Sequence, residues 1–320
     1  MHRQHTKLSA RMNRVFTHRA DRVAKAIERR GIRATYELHD RFFSNRTSRG
    51  HFDEAPPSLD DVQQSILTDV REQGYSVRSF DEVFSDPALW QEIEEQRDRF
   101  VSSTEADLAA GGEHVRVRPG KEFVVRLQSY GVELGPTDPW FRAVASERLL
   151  DLANAYLEMW SKLEYVDVWY SVPQPATGER ISSQRWHRDY NDKHLLKVFL
   201  YLVDVDESMG PFQYVAGSQP GGRYADAWAW QALGQNYPTE EELEARVPAS
   251  EVKAFTGPAG TLVFCNTSGF HRGGFSTTAP RVLATATYSS PASLASLTVR
   301  SYEYTGELDE LDPATRFAVS

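Results

Sequence analysis

The chain has 320 residues, enough for one large domain or for a core domain with an extension. Apolar residues make up 40% of it and aromatics 12%, which supports a packed core and excludes a disordered chain. The net charge of −9 is uneven: residues 1–33 carry ten Lys/Arg against Asp21 and Glu28, leaving the remainder near −17, an acidic body that argues against a nucleic-acid partner.

The N-terminal stretch 5–30 repeats Leu8, Met12, Val15, Phe16, Val23 and Ile27 at helical spacing, an amphipathic helix with a basic face. It is expected to pack on the body or on a second copy of the chain; an anionic membrane or an organelle presequence is the alternative. It lacks the apolar segment of a secretory signal, and no apolar run in the chain approaches the roughly 20 residues needed to cross a bilayer. Residues 44–57 are polar and rich in turn formers, which predicts a linker and makes 1–57 an extension. Ser58 is then expected to cap a helix with Val62, Ile66, Leu67 and Val70 on its apolar face, ended by Gly74. Tyr75–Val77 reads as a short strand, 87–109 as helix, Lys121–Ser129 as strand, and 139–161 as one long helix.

From about residue 163 the apolar period becomes two. Tyr165–Val172, Val198–Val203, Phe212–Val215, Thr261–Cys265, Val282–Tyr288 and Leu297–Tyr304 are short β-rich runs between Gly, Pro, Asn and Asp turns. Strands following a helical half predict a mainly β fold with α, a jelly roll with N-terminal and flanking helices outside. Helical support would occupy 58–162 and the β core 163–305, within one domain of 58–305. The interval 219–258, with Trp228, Trp230 and an acidic helix at 239–246, reads as an inserted lid or binding loop, and 306–320 as an acidic tail. The single Cys265, in an apolar strand, is expected in the core; it excludes an internal disulfide and a Cys-rich zinc site, and fits a reducing cytoplasm.

The chemistry gathers around Ser183–Tyr190. In Trp186-His187-Arg188-Asp189 the imidazole and the carboxylate stand two apart, so on an extended chain they face the same way. His271 follows 84 positions later, after the buried-looking run Thr261–Cys265. Two His and one carboxylate with other coordination positions open form the facial triad of non-haem Fe(II) oxygenases. H-x-D alone is a weak signal among nine histidines. It gains weight from Arg281, a rigid fork for a carboxylate at the start of the next strand. Arg126, in a buried-looking strand, is either a structural ion pair or a substrate anchor. His194 reads as a surface position, and Trp228 and Trp230 as lid packing.

The ordered series Trp186-His187-Arg188-Asp189, Leu202–Asp206 with Gly210-Pro211-Phe212 and Ala216-Gly217-Ser218, then Gly260–Phe264 with His271 and Arg281, resembles the phytanoyl-CoA dioxygenase family. Those are Fe(II)/2-oxoglutarate oxygenases on a double-stranded β-helix of the cupin type. The resemblance covers roughly residues 60–290, with 219–258 outside it. It implies that His187, Asp189 and His271 bind iron, and that Arg281 pairs with the distal carboxylate of 2-oxoglutarate, which chelates the metal beside O2. Phe199 falls where the family places a ring against the co-substrate. Lys197, on the same strand face, is expected to be a second carboxylate contact, a solvated strand end being the alternative, with Tyr170 and Gln184 on the co-substrate wall.

The pattern departs from the family at Arg188, where Gln is common and which is expected to point out of the barrel. It departs again at Gly273, where a hydroxyl is common, so that one hydrogen bond must come from elsewhere. The Asp189 carboxylate favours hydroxylation or desaturation over halide transfer. The expected reaction is hydroxylation of a small molecule, with succinate and CO2 released. A non-catalytic cupin-like metal-binding module, and a Zn- or Mn-dependent hydrolase or isomerase on the same ligands, are the competing readings.

Overall fold

The structure is a computed structural model that describes residues 28–111, 121–130, 134–232, 237–294, 302 and 304–320. The expected helix at 5–30 and the expected strand at 297–304 lie largely outside the described residues. The chain enters in helix α1, residues 28–42, followed by α2 (Ser44–Glu54) and α3 (Asp61–Gln73). The stretch that reads as a linker is therefore helical. Two of its polar residues are buried on protein partners: Asn45 donates to Asp40 and accepts from the Ala292 amide, and Ser48 bonds the Trp160 carbonyl. Asp60, not Ser58, caps α3, accepting from the Gln63 amide at 2.8 Å while the Gln63 side chain accepts from the Asp60 amide at 2.9 Å. Gly74 closes α3 in the left-handed conformation, φ 87°.

Strand β1 (Tyr75–Ser79), helices α4 (Phe80–Phe84) and α5 (Pro87–Ala109), and a three-residue strand β2 (Val124–Arg126) follow. The expected strand at 121–129 shortens because the chain turns into a 3-10 helix at Leu127. The expected long helix is two, α6 (Pro139–Val144) and α7 (Glu147–Leu157), broken where Ser146 takes an extended conformation and its hydroxyl turns back to the Ala143 carbonyl.

The β region contains β3 (Lys162–Ser171), β4 (Leu195–Tyr201), β5 (Phe212–Val215), a short helix α8 (Glu240–Glu244), β6 (Val252–Phe255), β7 (Thr261–Cys265), β8 (His271–Arg272) and β9 (Arg281–Ser289). Two antiparallel sheets result, ordered β1-β7-β4-β9-β3-β2 and β6-β5-β8. This is the jelly roll the strand spacing predicts. Because β6 belongs to the small sheet, only the part of 219–258 before it lies outside the two sheets.

The two faces of the large sheet do different work. Tyr170, Val198, Leu200, Leu262, Phe264, Val282 and Ala284 point outward into the core shared with α3, α5, α6 and α7. Phe199, Tyr201, Val263, Cys265 and Leu283 point inward against Phe212, Tyr214 and Phe255 of the small sheet. Every residue of β7 and β9 is buried, as strands covered on both faces must be. Cys265 sits in the core as expected, its thiol pKa pushed up by burial.

The C-terminal stretch that reads as an acidic tail ends in helix α9 (Pro313–Val319), capped by Asp312, with Ala318 and Val319 buried and Lys162 Nζ donating to the Phe317 carbonyl at 2.6 Å. Among the described residues no helix is long and apolar enough to cross a membrane.

Candidate metal centre and co-substrate cavity

The first two triad residues lie on the loop before β4 and the third opens β8, so the site depends on how loop and strand are joined. His187 and His271 exchange two backbone hydrogen bonds, 3.0 and 2.9 Å, and the Asp189 amide donates to the Thr267 carbonyl at 2.8 Å. That short antiparallel bridge brings side chains 84 positions apart into one cluster. One ligand atom from each of His187, Asp189 and His271 lies within 4.8 Å of the others, and His271 Nε2 is 4.0 Å from Asp189 Oδ2.

The protonation pattern suits a cation. His187 Nδ1 is 2.8 Å from the Arg185 carbonyl and His271 Nδ1 is 3.0 Å from the Gly269 carbonyl. A carbonyl can only accept, so each Nδ1 carries the proton and each Nε2 is left with its lone pair free. Burial lowers both imidazole pKa values, that of His271 to about 3 with the neighbouring His187 adding to the effect, which keeps both rings neutral. Burial alone would raise the Asp189 pKa; the charge of Lys197 and the hydrogen bond it donates outweigh that and hold the carboxyl well below its ordinary range. Lys197 Nζ at 2.5 Å and Thr267 Oγ1 at 2.6 Å both donate to Asp189 Oδ2, the oxygen 4.0 Å from His271 Nε2, and fix the carboxylate beside the two imidazoles. Lys197 faces inward, as its strand phase predicts, but its anionic partner is the Asp189 carboxylate.

The cavity runs from this cluster to Arg281. Phe199, Phe212, Trp169 and Leu283 form its apolar wall, and Lys121 and Arg272 also line it. Arg281 is 4% exposed. Its Nη1 donates to the Gly210 carbonyl at 2.5 Å, and its Nε has no hydrogen-bond partner among the described residues. No carboxylate stands within ion-pair distance of it there, and burial lowers its pKa.

Two candidates sit elsewhere. Tyr170 is outside the cavity, because period two turns it to the outer face, where its hydroxyl reaches toward Glu105; Trp169 has the inward phase. Gln184 is buried and holds backbone, accepting from the Ile181 amide and donating to the Gly274 carbonyl at 3.2 Å, so it shapes the cavity rim without lining it. Sequence reasoning missed Trp169, whose signal was the same period-two phase. It also missed Lys121 and Arg272, which carry no spacing signal.

Arg188 points away from the metal cluster, as expected, yet it is buried. It donates to the Ser218, Ser268 and Ala225 carbonyls and stacks 4.2 Å above Phe270, tying the loop before His271 to the 219–251 segment. Arg126 is an ion pair, with Nε 2.6 Å from Asp167 Oδ2.

The loop after Asp189 is gripped from outside by α1. Tyr36 Oη donates to Asp192 Oδ1 at 2.7 Å and accepts from the Lys193 amide at 3.1 Å, while Asp40 pairs with Lys193 and His194. His194, expected at the surface, is therefore an extension contact. Trp230 packs on Tyr36 with ring centroids 5.5 Å apart and donates Nε1 to the Asp189 carbonyl at 2.9 Å. Trp228 packs edge-on against Phe270. Tyr36→Phe removes a buried donor and acceptor together. It is expected to cost about 1–3 kcal/mol in urea unfolding, and a loss below about 0.5 kcal/mol would show that the contact contributes nothing beyond packing.

A helix-flanked jelly roll with a His-Asp-His cluster at one end of its cavity defines a class, the mononuclear iron oxygenases. The family model for phytanoyl-CoA dioxygenase (PhyH) matches residues 6–282, and the chain belongs to that family of iron- and 2-oxoglutarate-dependent oxygenases. The match extends through the 1–57 extension and the 219–258 interval, both of which the motif resemblance leaves out.

Similar solved structures include the apoform of EctD from S. alaskensis, 18% identical with a TM-score of 0.50 over 74% of this chain and 81% of that one. They also include the epimerase SnoN in complex with Fe3+, alpha ketoglutarate and nogalamycin RO, 17% identical with a TM-score of 0.49 over 77% and 91%. At such identity the likeness to EctD shows a shared fold and says nothing of substrate. No curated protein matches the sequence.

Proposed function

We propose that the protein hydroxylates a C–H bond of a small molecule by the balanced reaction R–H + O2 + 2-oxoglutarate → R–OH + succinate + CO2. The observation that carries this reading is Arg281, a buried guanidinium with no carboxylate beside it among the described residues, in the same cavity as the triad. A buried charge without a partner is costly. A dicarboxylate reaching from the triad to Arg281 removes that cost, whereas a structural metal site or a hydrolase needs no such fork.

His187, Asp189 and His271 would hold the iron through two Nε2 atoms and one carboxylate oxygen. When bound, iron and 2-oxoglutarate together supply O2 activation, the keto acid giving up two electrons as it loses CO2. The chain's own part is to orient and to exclude water. Lys197 and Thr267 hold Asp189 in place, Phe199 and Phe212 wall the co-substrate, and Arg281 receives its distal carboxylate. Asp189 itself favours hydroxylation, since it occupies the coordination position that halide transfer would require.

The test is anaerobic addition of Fe(II) and then 2-oxoglutarate. A charge-transfer absorption band that needs both is expected, followed by slow succinate release on admitting O2. Hydrolase or isomerase activity on Zn(II) or Mn(II), indifferent to 2-oxoglutarate and without the band, would reject the proposal.

A further inference from the structure

Gly273, two residues after His271, offers no side chain to a bound carboxylate. The inward face of the large sheet carries a hydroxyl directly behind the Gly274 part of the cavity wall. Ser171 ends β3 directly across from Arg281 on β9, and shares its face with the cavity-lining Trp169 two residues earlier. It is fully buried, and its Oγ has no hydrogen-bond partner among the described residues. Buried hydroxyls are rarely left in that state.

The space in front of it is kept open by glycine. Gly274 has φ 84°, and a Cβ built on it would lie 3.2 Å from Arg281 Nη2 and 3.8 Å from Ser171 Oγ. A Cβ on Gly273 would lie 3.5 Å from Arg281 Nη1. Both donors therefore border one small volume that any larger residue at 274 would invade. That backbone is held in turn: the Gly274 amide donates to the Gly210 carbonyl, which also accepts from Arg281 Nη1, and Gln184 bonds the Gly274 carbonyl. The hydroxyls of Thr285 and Thr287 also lack partners among the described residues, but they lie four and six residues along β9 from Arg281 and do not share this volume.

We infer that Ser171 is a co-substrate-binding residue: its hydroxyl and the Arg281 guanidinium jointly grip the distal carboxylate of a five-carbon 2-keto dicarboxylate in the pocket left by Gly273 and Gly274. The inference rests on the proposed co-substrate and adds the residue that gives the grip its second donor. Arg281 supplies charge, and Ser171 supplies direction.

The test is anaerobic calorimetry on the Fe(II)-loaded full chain, wild type and Ser171→Ala, with two probes. One is 2-oxoglutarate; the other is 2-oxopentanoate, the same chain with a methyl in place of the distal carboxylate. Ser171→Ala is expected to weaken 2-oxoglutarate about tenfold to a hundredfold, the usual range for a hydrogen bond to a charged group. It should leave 2-oxopentanoate and Fe(II) affinity unchanged. Because the hydroxyl has no partner among the described residues, the variant should melt at the wild-type temperature or above it, so that failure to fold would itself contradict the assignment. Ser171→Thr, which keeps the donor, should restore part of the loss. Equal weakening of both probes would mean that Ser171 acts only through the fold, and undiminished 2-oxoglutarate binding by Ser171→Ala would remove it from the site; either overturns the inference while leaving the oxygenase reading in place. No 2-oxoglutarate binding by the wild type would end both.

Discussion

Arg281→Gln is expected to lower 2-oxoglutarate affinity by two to three orders of magnitude while leaving Fe(II) affinity as in the wild type. The size follows from removing one member of a buried charge pair, about 3–5 kcal/mol. The selectivity follows from position, since the guanidinium and the triad occupy different parts of the cavity wall. The same substitution should stabilise the ligand-free protein or leave it unchanged, because a buried cation without a counter-ion among the described residues is exchanged for a neutral amide. Calorimetry with each ligand separately, and thermal melts without either, check the three statements. Equal loss of iron and 2-oxoglutarate would mean that Arg281 maintains the fold of the site and does not contact the co-substrate.

His271→Ala is expected to weaken Fe(II) binding by more than about a hundredfold, since groups that only orient ligands are already worth tenfold to a hundredfold. Succinate release should vanish with it. The ligand-free fold should survive: the β8 strand is held by its backbone exchange with His187 and its pairing with β5, neither of which uses the imidazole. A folded His271→Ala protein that still binds Fe(II) and forms the 2-oxoglutarate band would show that the triad is not the metal site.

The triad was legible because its members carry strong chemical identities in a fixed order, and a backbone bridge between His187 and His271 is what turns that order into proximity. Side-chain phase was harder. Counting by two from Phe199 turns Lys197 inward, and both residues line the cavity. The same count only puts Trp169 and Tyr170 on opposite faces of β3, each face with a ring, and does not say which is the barrel interior. β7 hid its faces, because helices cover one side and the small sheet the other; in β9 the polar Arg281, Thr285, Thr287 and Ser289 share one face, but all are buried, so the alternation does not mark solvent. The helix at 44–54 was illegible for a different reason. Its polar residues look solvated by composition, and only the three-dimensional partners of Asn45 and Ser48 show that these two are not. Ser171 could not be found at all from sequence, since what distinguishes it is a hydroxyl without a partner among the described residues that also lies opposite Arg281 and beside Gly274.

Trp230 ties the loop that carries Asp189 to the N-terminal extension. Its indole nitrogen is bonded to the main-chain oxygen of Asp189, while its ring rests on a tyrosine of the N-terminal extension. A guest molecule that preferred another position of that indole would disturb the carboxylate's backbone anchor. Thermodynamic reciprocity then requires iron loading to alter the guest's affinity by the same factor. Order of addition and metal occupancy thus become properties of one shared joint.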